Sequence, residues 1–381
     1  MIRLPGARHV GKLLYLAISA HGYGHIGQTA PVINETLRRL PELEIVIECA
    51  APRDVLEKRF SMPFVHETAG ADFGMVMKDA FTVDVEASHA RYAGMHADLE
   101  RHVAAAQARM ELHRPDVLFA NVPYVPLIAA RRMGIPALAM SSLNWAHIFA
   151  ALCPKGDSGT AIQRDMLEGY GAARAFIAPA PSMSMPGLDN VVGVGPLASL
   201  AASDRRKLAS CIGAADSERM VMVSMGGIAT ELDLEKWPAI AGVTWLVDKP
   251  VPAARPDIAT IGGIGMSFLG VMASCDALVT KPGYGSFVEA ACNGVPVLYV
   301  PRDDWPEASC LTRWLHEHGR CIEVPRRDLQ SSRLEGYLQA LWDLPGKPRV
   351  APTGVAQAAD ILVSCLSTGE EKLQSKAGQR R

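Results

Sequence analysis

The segment Lys281-Pro282-Gly283-Tyr284-Gly285-Ser286-Phe287-Val288-Glu289 joins a predicted β-strand to a predicted helix. The strand is the run 275–280, and the helix is predicted over 287–293, ending at Gly294. Its two glycines let the backbone approach an oxygen-rich ligand closely, and the free N–H groups of a helix N-terminus attract anions. The segment therefore predicts a diphosphate site, with Glu289 placed to bind ribose hydroxyls.

The same residues have a second interpretation that needs no ligand. Ser286-x-x-Glu289 fits a capping box, in which the serine caps the helix and the glutamate bonds back to the serine. Both interpretations are compatible with the local sequence, so the remainder of the chain has to separate them.

Composition limits the class of protein. The length of 381 residues suits two domains, and the fractions of 49% hydrophobic and 20% charged residues are typical of a globular protein. A formal charge of -2 without a long basic block argues against nucleic acid as a partner. The eight cysteines include no Cys-x-x-Cys pair, so neither a zinc site nor a disulfide framework is predicted.

Hydropathy bears on location. The first nine residues contain no apolar leader, and no run approaches the ~18 apolar residues of a membrane span. We therefore expect a cytoplasmic protein without an integral span, while peripheral association with a membrane stays open.

Strand-like and helix-like segments alternate in both halves, which predicts two parallel sheets covered by helices, an α/β fold. Strands are predicted at 12–19, 43–50, 117–120, 135–140, 220–224, 243–247, 277–280 and 295–300, and helices at 29–40, 84–113, 308–318 and 355–366. The predicted division is an N-terminal domain 1–195, a linker 196–218, a C-terminal domain 219–350, a last helix 351–366 and a disordered tail 367–381.

The first predicted strand runs into a glycine-rich loop that contains two histidines. Gly22-x-Gly24-x-x-Gly27 has the spacing of a dinucleotide-binding loop, and Glu48 lies where a ribose-binding acid would sit. This makes an NAD(P)-dependent oxidoreductase one candidate. His21 and His25 favour another chemistry, because a neutral imidazole can take a proton from an attacking hydroxyl.

Taken in order, these segments resemble the GT-B glycosyltransferases, in particular the MurG-like branch (family 28 and family 1 type) and the glycosyltransferase-like half of plant L-arabinokinases. The resemblance covers roughly 300 residues and rests on His21-Gly22-Tyr23-Gly24-His25, Ser142-Leu143-Asn144-Trp145, Val223-Ser224-Met225-Gly226-Gly227, the 281–289 segment and Arg302-Asp303-Asp304-Trp305-Pro306-Glu307.

The resemblance implies two Rossmann-like domains facing across a cleft, with the last helix crossing back to the first domain. It implies a diphosphate site formed by Gly226, Gly227, Gly283, Tyr284, Gly285 and Ser286, with ribose on Glu289 and donor sugar or ribose on Asp304 and Glu307. For Asp304 and Glu307 the alternative is an N-cap of the helix that starts near Ala308.

On the acceptor side, the resemblance implies contacts from Gly22, Gly24, Asn144 and Trp145. His25 matches the catalytic histidine best and His21 second. Some relatives orient that histidine with an aspartate, but this chain has Asn121 there, and an asparagine would not stabilise a protonated imidazole as a carboxylate does. Gln28 also replaces an arginine that arabinokinase-like sequences often carry.

The function predicted first is a hexosyltransferase-like glycosyltransferase. It would move a sugar from a nucleotide diphosphate sugar, UDP-linked in the first instance, to a hydroxyl of a small-molecule, lipid or glycan acceptor. No cofactor and no metal are expected, because the diphosphate would be held by helix N–H groups. The alternatives are a non-catalytic nucleotide-sugar sensor of the same fold and, third, the oxidoreductase. No sugar kinase activity is expected, because the kinase half of arabinokinases has no counterpart in this sequence.

Overall fold

The structure, a computed structural model, describes residues 11–70, 72–79, 81–154, 156–215, 217–226, 233–252 and 254–378, the last eleven of these by backbone only. It divides into two compact units. The first comprises the chain through Met77, Val83–Leu197 and everything from Thr353 onward, and the second comprises Lys78–Thr82 and Ala198–Pro352.

The first unit alternates strands and helices along most of its length. Its elements are β1 (Leu13–Ile18), α1 (Gly24–Arg39), β2 (Glu44–Glu48), α2 (Arg53–Glu57), β3 (Val65–Glu67), α3 (Val85–Ala97), α4 (Leu99–His113), β4 (Val117–Asn121), α5 (Val125–Met133), β5 (Ala137–Met140), α6 (Trp145–Leu152), α7 (Asp157–Gly171), β6 (Ala175–Pro179) and β7 (Val191–Val194). Within the described part of this unit, the sheet has seven parallel strands in the order β3-β2-β1-β4-β5-β6-β7.

The second unit repeats this arrangement. Its elements are α8 (Arg205–Ile212), β8 (Arg219–Val223), β9 (Val243–Val247), β10 (Ile258–Thr260), α9 (Phe268–Ser274), β11 (Ala277–Thr280), α10 (Tyr284–Asn293), β12 (Val297–Tyr299), α11 (Ala308–His318), β13 (Cys321–Glu323), a 3₁₀ turn (Arg326–Asp328) and α12 (Leu334–Asp343). The six parallel strands described here follow the order β10-β9-β8-β11-β12-β13.

Continuous apolar runs explain why both sheets lie between layers of helices. All residues of β1, β4 and β9 are buried, as expected for parallel strands that are covered on both faces. The α/β prediction is therefore confirmed. In each sheet the strand order reverses next to the first strand, beside β1 and β4 in one unit and beside β8 and β11 in the other. Ligands of such sheets bind at these reversal points, beyond the carboxyl ends of the strands.

Some boundaries differ from the sequence prediction. One helix was predicted over 84–113, but the backbone leaves helical geometry at Asp98 (φ -133°, ψ 36°) and separates α3 from α4. The predicted linker 196–218 contains α8, and the second unit already begins at Ala198. Helix α10 begins at Tyr284, three residues before its predicted start.

The last helix, α13 (Gly354–Gly378), returns to the first unit. It packs against α1, and its Asp360 forms an ion pair with Arg39 of that helix. The Leu366 carbonyl accepts a hydrogen bond from the Lys12 ammonium group, which precedes β1. Ala358, Ala359 and Leu362 are fully buried in this contact face. The predicted return of this helix is thus confirmed, but it extends well past residue 366 into the stretch predicted to be disordered. Residues 379–381 lie outside the described residues.

The start of α13 touches β7 through two glycines. The Gly354 N–H donates to the Pro196 carbonyl at 3.1 Å, and the Gly195 N–H donates to the Gln357 side chain at 2.7 Å. A Cβ atom on Gly354 would overlap the Gly195 carbonyl group. Only a residue without a side chain lets these two backbones approach so closely.

We therefore expect Gly354→Ala to destabilise the first unit by about 1–3 kcal/mol, the usual cost of overpacking. Urea unfolding followed by intrinsic fluorescence measures this. Gly193→Ala is the matched control, because a Cβ atom there meets nothing within 4 Å. Equal unfolding midpoints for the two variants would contradict the tight contact.

Candidate functional site

In the second unit, two loops meet at the point where the strand order reverses. β8 and β11 are parallel neighbours, and the Ser224 N–H after β8 donates to the Val279 carbonyl of β11 at 3.0 Å. The β8 loop then reaches Gly226, whose φ of 78° lies in the left-handed region that favours glycine. Gly227, which the sequence also placed at the phosphates, lies outside the described residues.

Helix α10 has a glycine at its N-cap position, so the N-cap residue has no side chain to bond the first turn. It begins at Tyr284 with Gly283 as N-cap, and Gly283 forms no capping bond. Ser286 is the third residue of the helix, so the interpretation of Ser286-x-x-Glu289 as a capping box is wrong. A Cβ atom on Gly285 would meet nothing within 4 Å, which leaves open space in front of the first turn. The N–H groups of a helix start of this kind suit an anion.

Lys281 is the main feature that sequence reasoning did not assign. It directly follows β11 and is only 9% exposed. A Cβ atom on Gly226 would lie 4.0 Å from its Nζ atom, so the ammonium group lies beside the glycine loop. Among the described residues no carboxylate forms an ion pair with it. Burial, with Arg302 as a second cause and Glu307 opposing, lowers its pKa from 10.5 to about 8.

A buried cation of this kind is costly unless an anion accompanies it. An anion bound near Lys281 and the α10 N-terminus would compensate the buried positive charge. This gives a reason why Lys281 is buried. The available signal in the sequence was a lysine placed straight after a buried parallel strand, at the edge where ligands bind.

The 302–307 segment forms a compact group in the same unit. The Arg302 guanidinium lies 4.1 Å from the centre of the Trp305 ring, and the Trp305 indole N–H donates to the Glu307 carboxylate at 3.2 Å. Glu307 is buried and precedes α11 without capping it by its side chain. Asp304 is partly exposed, with an oxygen 3.9 Å from the Arg302 Nε atom. The cap interpretation places the start of α11 correctly, with Glu307 at the N-cap position, but Glu307 does not cap the helix through a side-chain bond.

Glu289 lies in the second turn of α10 and is 5% exposed. Its backbone carbonyl accepts a bond from the Asn293 side chain at 2.9 Å. The structure therefore places Glu289 on the same helix as the uncapped N-terminus, one turn beyond it.

In the first unit, the loop after β1 and the end of β4 also meet where the strand order reverses. The His25 Nδ1 atom lies 2.9 Å from the Asn121 Oδ1 atom. The Asn121 amide donates to the Gln28 Oε1 atom at 3.3 Å, and the Gln28 amide donates to the Ser142 hydroxyl at 2.7 Å. This series of hydrogen bonds fixes the orientation of the Asn121 amide.

The orientation of Asn121 selects the tautomer of His25. Because the Asn121 oxygen faces Nδ1, this ring nitrogen carries the hydrogen and Nε2 is left with its lone pair. Burial lowers the pKa of His25 to about 4, while the Asn121 bond raises it slightly. The imidazole is therefore neutral at physiological pH, and its conjugate acid is not stabilised by a carboxylate.

Trp145 connects the two predicted catalytic histidines. Its ring lies edge-on to His21 and His25, with ring centres 5.3 and 5.7 Å away. Its indole N–H donates to the Asp72 carboxylate at 2.5 Å. Asn144 caps α6 by accepting a bond from the His147 N–H at 2.9 Å. The structure thus brings both histidines, Asn144 and Trp145 into one group, and it adds Asp72.

The glycine loop of this unit does not have the surroundings of a dinucleotide site. Gly22 has a φ of 69° and Gly24 begins α1. Glu48, the candidate ribose acid, is 1% exposed and is engaged by Tyr15 at 2.8 Å and by Arg109 at 2.8 Å. Its carboxylate is occupied within the unit, which disfavours the oxidoreductase.

The described residues contain neither a membrane-spanning helix nor a cluster of metal ligands. No helix there is long and apolar enough to span a bilayer. No group of three or more His, Cys, Asp or Glu side chains there is arranged to hold a metal ion.

Comparison with solved structures defines the architecture as GT-B. The calicheamicin glycosyltransferase superimposes with a TM-score of 0.57 at 15% identity, over 97% of this chain and 99% of that one. The spinosyn rhamnosyltransferase SpnG, solved with thymidine diphosphate, gives 0.55 at 16% identity, over 94% and 96%. The predicted GT-B fold is confirmed.

Among curated sequences, the chain is 23% identical over 340 residues to the L-arabinokinase of Arabidopsis thaliana. The match covers 84% of this chain but 31% of that protein, so the chain spans about a third of its relative. No protein-family model matches.

Lys281→Met tests the anion site. The lowered pKa corresponds to about 3 kcal/mol against the charged form at pH 7, so the variant without ligand should be more stable by up to that amount. Its affinity for UDP should nevertheless fall. In the wild type, affinity should be full below pH 8 and should decline above it as Lys281 loses its proton, and the variant should lack this decline.

Calorimetric titration of UDP from pH 7 to 10, with thermal unfolding of the free protein, measures both effects. Lys347→Met serves as control, since its exposed ammonium donates to the His316 carbonyl. Equal UDP affinity of the Lys281 variant and the wild type would remove Lys281 from the site.

Proposed function

We propose that the protein transfers a glycosyl group from a nucleoside diphosphate sugar, UDP-linked in the first instance, to a hydroxyl of an acceptor molecule. The observation that carries this proposal is the buried Lys281 beside the uncapped N-terminus of α10 and the Gly226 loop. These groups are donors and positive charges, no carboxylate among the described residues forms an ion pair with Lys281, and a diphosphate would supply negative charge there.

On the donor side, the reaction breaks the bond between the anomeric carbon and the diphosphate oxygen. The first-turn N–H groups of α10 and the Lys281 ammonium would stabilise the charge that develops on the leaving diphosphate. This route assigns the stabilisation to protein groups rather than to a metal. Glu289 would hold ribose hydroxyls, and Asp304 with Glu307 would border the donor sugar.

On the acceptor side, the new bond forms between the acceptor oxygen and the anomeric carbon, and the hydroxyl proton has to leave. We assign this proton to the Nε2 atom of His25, whose tautomer is set by Asn121. His21 is the second candidate. Gly22, Gly24, Asn144 and Trp145 would border the acceptor.

The comparisons support this assignment through the fold they share. Both solved relatives are named as glycosyltransferases, and one was crystallised with thymidine diphosphate. The sequence relative is named as a kinase, but this chain covers 31% of it. The transferase reaction is therefore proposed here from the site and the fold together.

A nucleotide-sugar sensor is the second candidate, and one observation favours it. His25 is paired with an asparagine, and burial lowers its pKa to about 4, which weakens it as a base. Such a protein would use all the donor-site residues and would lack turnover. The engaged Glu48 carboxylate leaves the oxidoreductase with less support.

Glu289→Ala tests the donor site. A ligand present at 100 times its dissociation constant should stabilise the folded wild type by about 2.7 kcal/mol. We expect such a thermal shift with one of UDP, GDP or dTDP, and we expect Glu289→Ala to reduce it strongly through lost ribose bonds. Glu317→Ala, an exposed acid of the same unit, is the control. No shift with any of the three nucleotides would reject the donor site, and an unchanged shift in Glu289→Ala would make that residue structural.

His25→Ala tests the acceptor side. Nucleotide binding should persist, because the residue belongs to the other unit, while release of nucleotide from the sugar donor should fall by about 10²–10⁴-fold. A coupled assay for nucleoside diphosphate release measures this, with His113→Ala as a control histidine that pairs with Glu67. A variant with normal turnover would exclude His25 as the base, and a wild type that binds nucleotide without turnover would favour the sensor.

A further inference from the structure

The first unit contains a cavity of about 450 Å³ whose lining was not assigned to any site from the sequence. It lies between Gly70, Asp72 and Phe73 on one side and helices α3 and α4 on the other. The volume is within the range of small-molecule sites. All its lining residues belong to the first unit.

One buried polar atom in its wall has no hydrogen-bond partner among the described residues. One oxygen of Asp72 accepts the Trp145 indole N–H, and the other, Oδ1, is buried and forms no hydrogen bond of normal geometry, although the Ser19 hydroxyl is close enough to oppose the rise in the Asp72 pKa. The Tyr92 hydroxyl is also buried without a bond, and the Tyr92 ring packs on Phe73 with centres 4.4 Å apart. Tyr92 lies behind the lining residues, whereas Asp72 lines the cavity. Since buried polar atoms nearly always have a partner, the unbonded Asp72 oxygen indicates a ligand that offers a hydroxyl group.

The opposite wall is basic. Arg101 and Arg109 are already paired, with Asp98 at 2.6 Å and with Glu48 at 2.8 Å. Arg91 instead stacks over the Phe73 ring at 4.2 Å, and no carboxylate among the described residues pairs with it. Arg91 therefore presents an uncompensated positive charge at the rim of the cavity, which favours an anionic ligand.

Asp72 connects the cavity to the predicted catalytic histidines through Trp145, although none of these three rings lines the cavity. Trp145, which holds Asp72, lies edge-on to both His21 and His25. Gly74, two residues after Asp72, packs so closely on His21 that a Cβ atom there would lie 2.6 Å from the ring. A molecule bound through Asp72 would thus contact a carboxylate that shares Trp145 with the histidine proposed to take the proton.

We propose that this cavity binds the acceptor and that the acceptor is a small hydroxylated anion, such as a sugar bearing a carboxylate or a phosphate. Arg91 binds its anionic group, and the Asp72 carboxylate accepts a hydrogen bond from one of its hydroxyls. The inference rests on the proposed transferase function and names the class of molecule that receives the sugar. Burial raises the pKa of Asp72 to about 6, so the carboxylate is ionised at neutral pH.

Calorimetric titration tests this inference. Matched pairs of ligands are titrated into the full chain saturated with UDP. The probes are glucose and galactose, their uronic acids, and their 6-phosphates. At least one acid should bind about tenfold or more tightly than its neutral parent, as expected for a charge-assisted bond. Comparing the carboxylate and phosphate arms identifies which anion the cavity accepts.

Two variants locate the binding. Arg91→Met should remove the preference for the anionic sugar, and Asp72→Asn, which still accepts the Trp145 bond, should weaken the acid and its neutral parent alike. Arg53→Met is the matched control, because Arg53 also stacks on a phenylalanine, Phe64, at 4.8 Å, but does not line the cavity. The Arg53→Met variant should keep the wild-type preference for the anionic sugar.

The outcomes are distinguishable from failure of the donor site. Wild type that binds UDP but prefers none of the acids, or an Arg91→Met variant that keeps the preference, overturns this inference and leaves the transferase proposal standing. Wild type that binds none of the nucleotides rejects the transferase proposal itself, and this inference falls with it.

Discussion

The reversal of strand order in each sheet is the constraint on which the rest of the structure depends. In the first unit it separates the loop after β1 from the end of β4, and in the second it does the same for β8 and β11. Crossover helices leave in opposite directions there, so the carboxyl ends of two neighbouring strands stay uncovered. Both groups of candidate residues lie at these two points.

Charge is distributed differently in the two units, so the two candidate sites suit different chemical roles. The second unit buries an ammonium group, Lys281, near helix N–H groups, and no carboxylate among its described residues forms an ion pair with it. The first unit instead buries a neutral network from His25 through Asn121 and Gln28 to Ser142. A site short of negative charge suits a diphosphate, whereas a network with a fixed tautomer suits the transfer of a proton.

The network in the first unit also explains two departures from related sequences. Where the resemblance noted from the sequence led us to expect an aspartate and an arginine, this protein has Asn121 and Gln28. The two amides bond to each other at 3.3 Å, so the pair is satisfied without any charge. An aspartate beside a buried histidine would favour the protonated ring. In this protein Asn121 is neutral, and burial lowers the pKa of His25. If His25 takes the acceptor proton as proposed, the reaction would therefore depend on an acceptor held close to it.

The sequence by itself determined the α/β class, most strands near β1, β4, β8 and β11, and the glycine segments at their ends. Hydrophobic runs and glycine spacing are local properties, so they are readable along the chain. It did not reveal the break at Asp98 or the true start of α10, because element boundaries depend on tertiary contacts.

Only the tertiary structure decided which side chains act together. Asp72 is 73 residues from Trp145 in sequence, yet the two are bonded, and Phe81 from the first half of the chain is built into the core of the second unit. Burial of Lys281, pairing of Glu48 with Arg109 and the cavity between Asp72 and α4 likewise follow from packing. Long-range packing sets burial and charge compensation, and neither is encoded in local residue spacing.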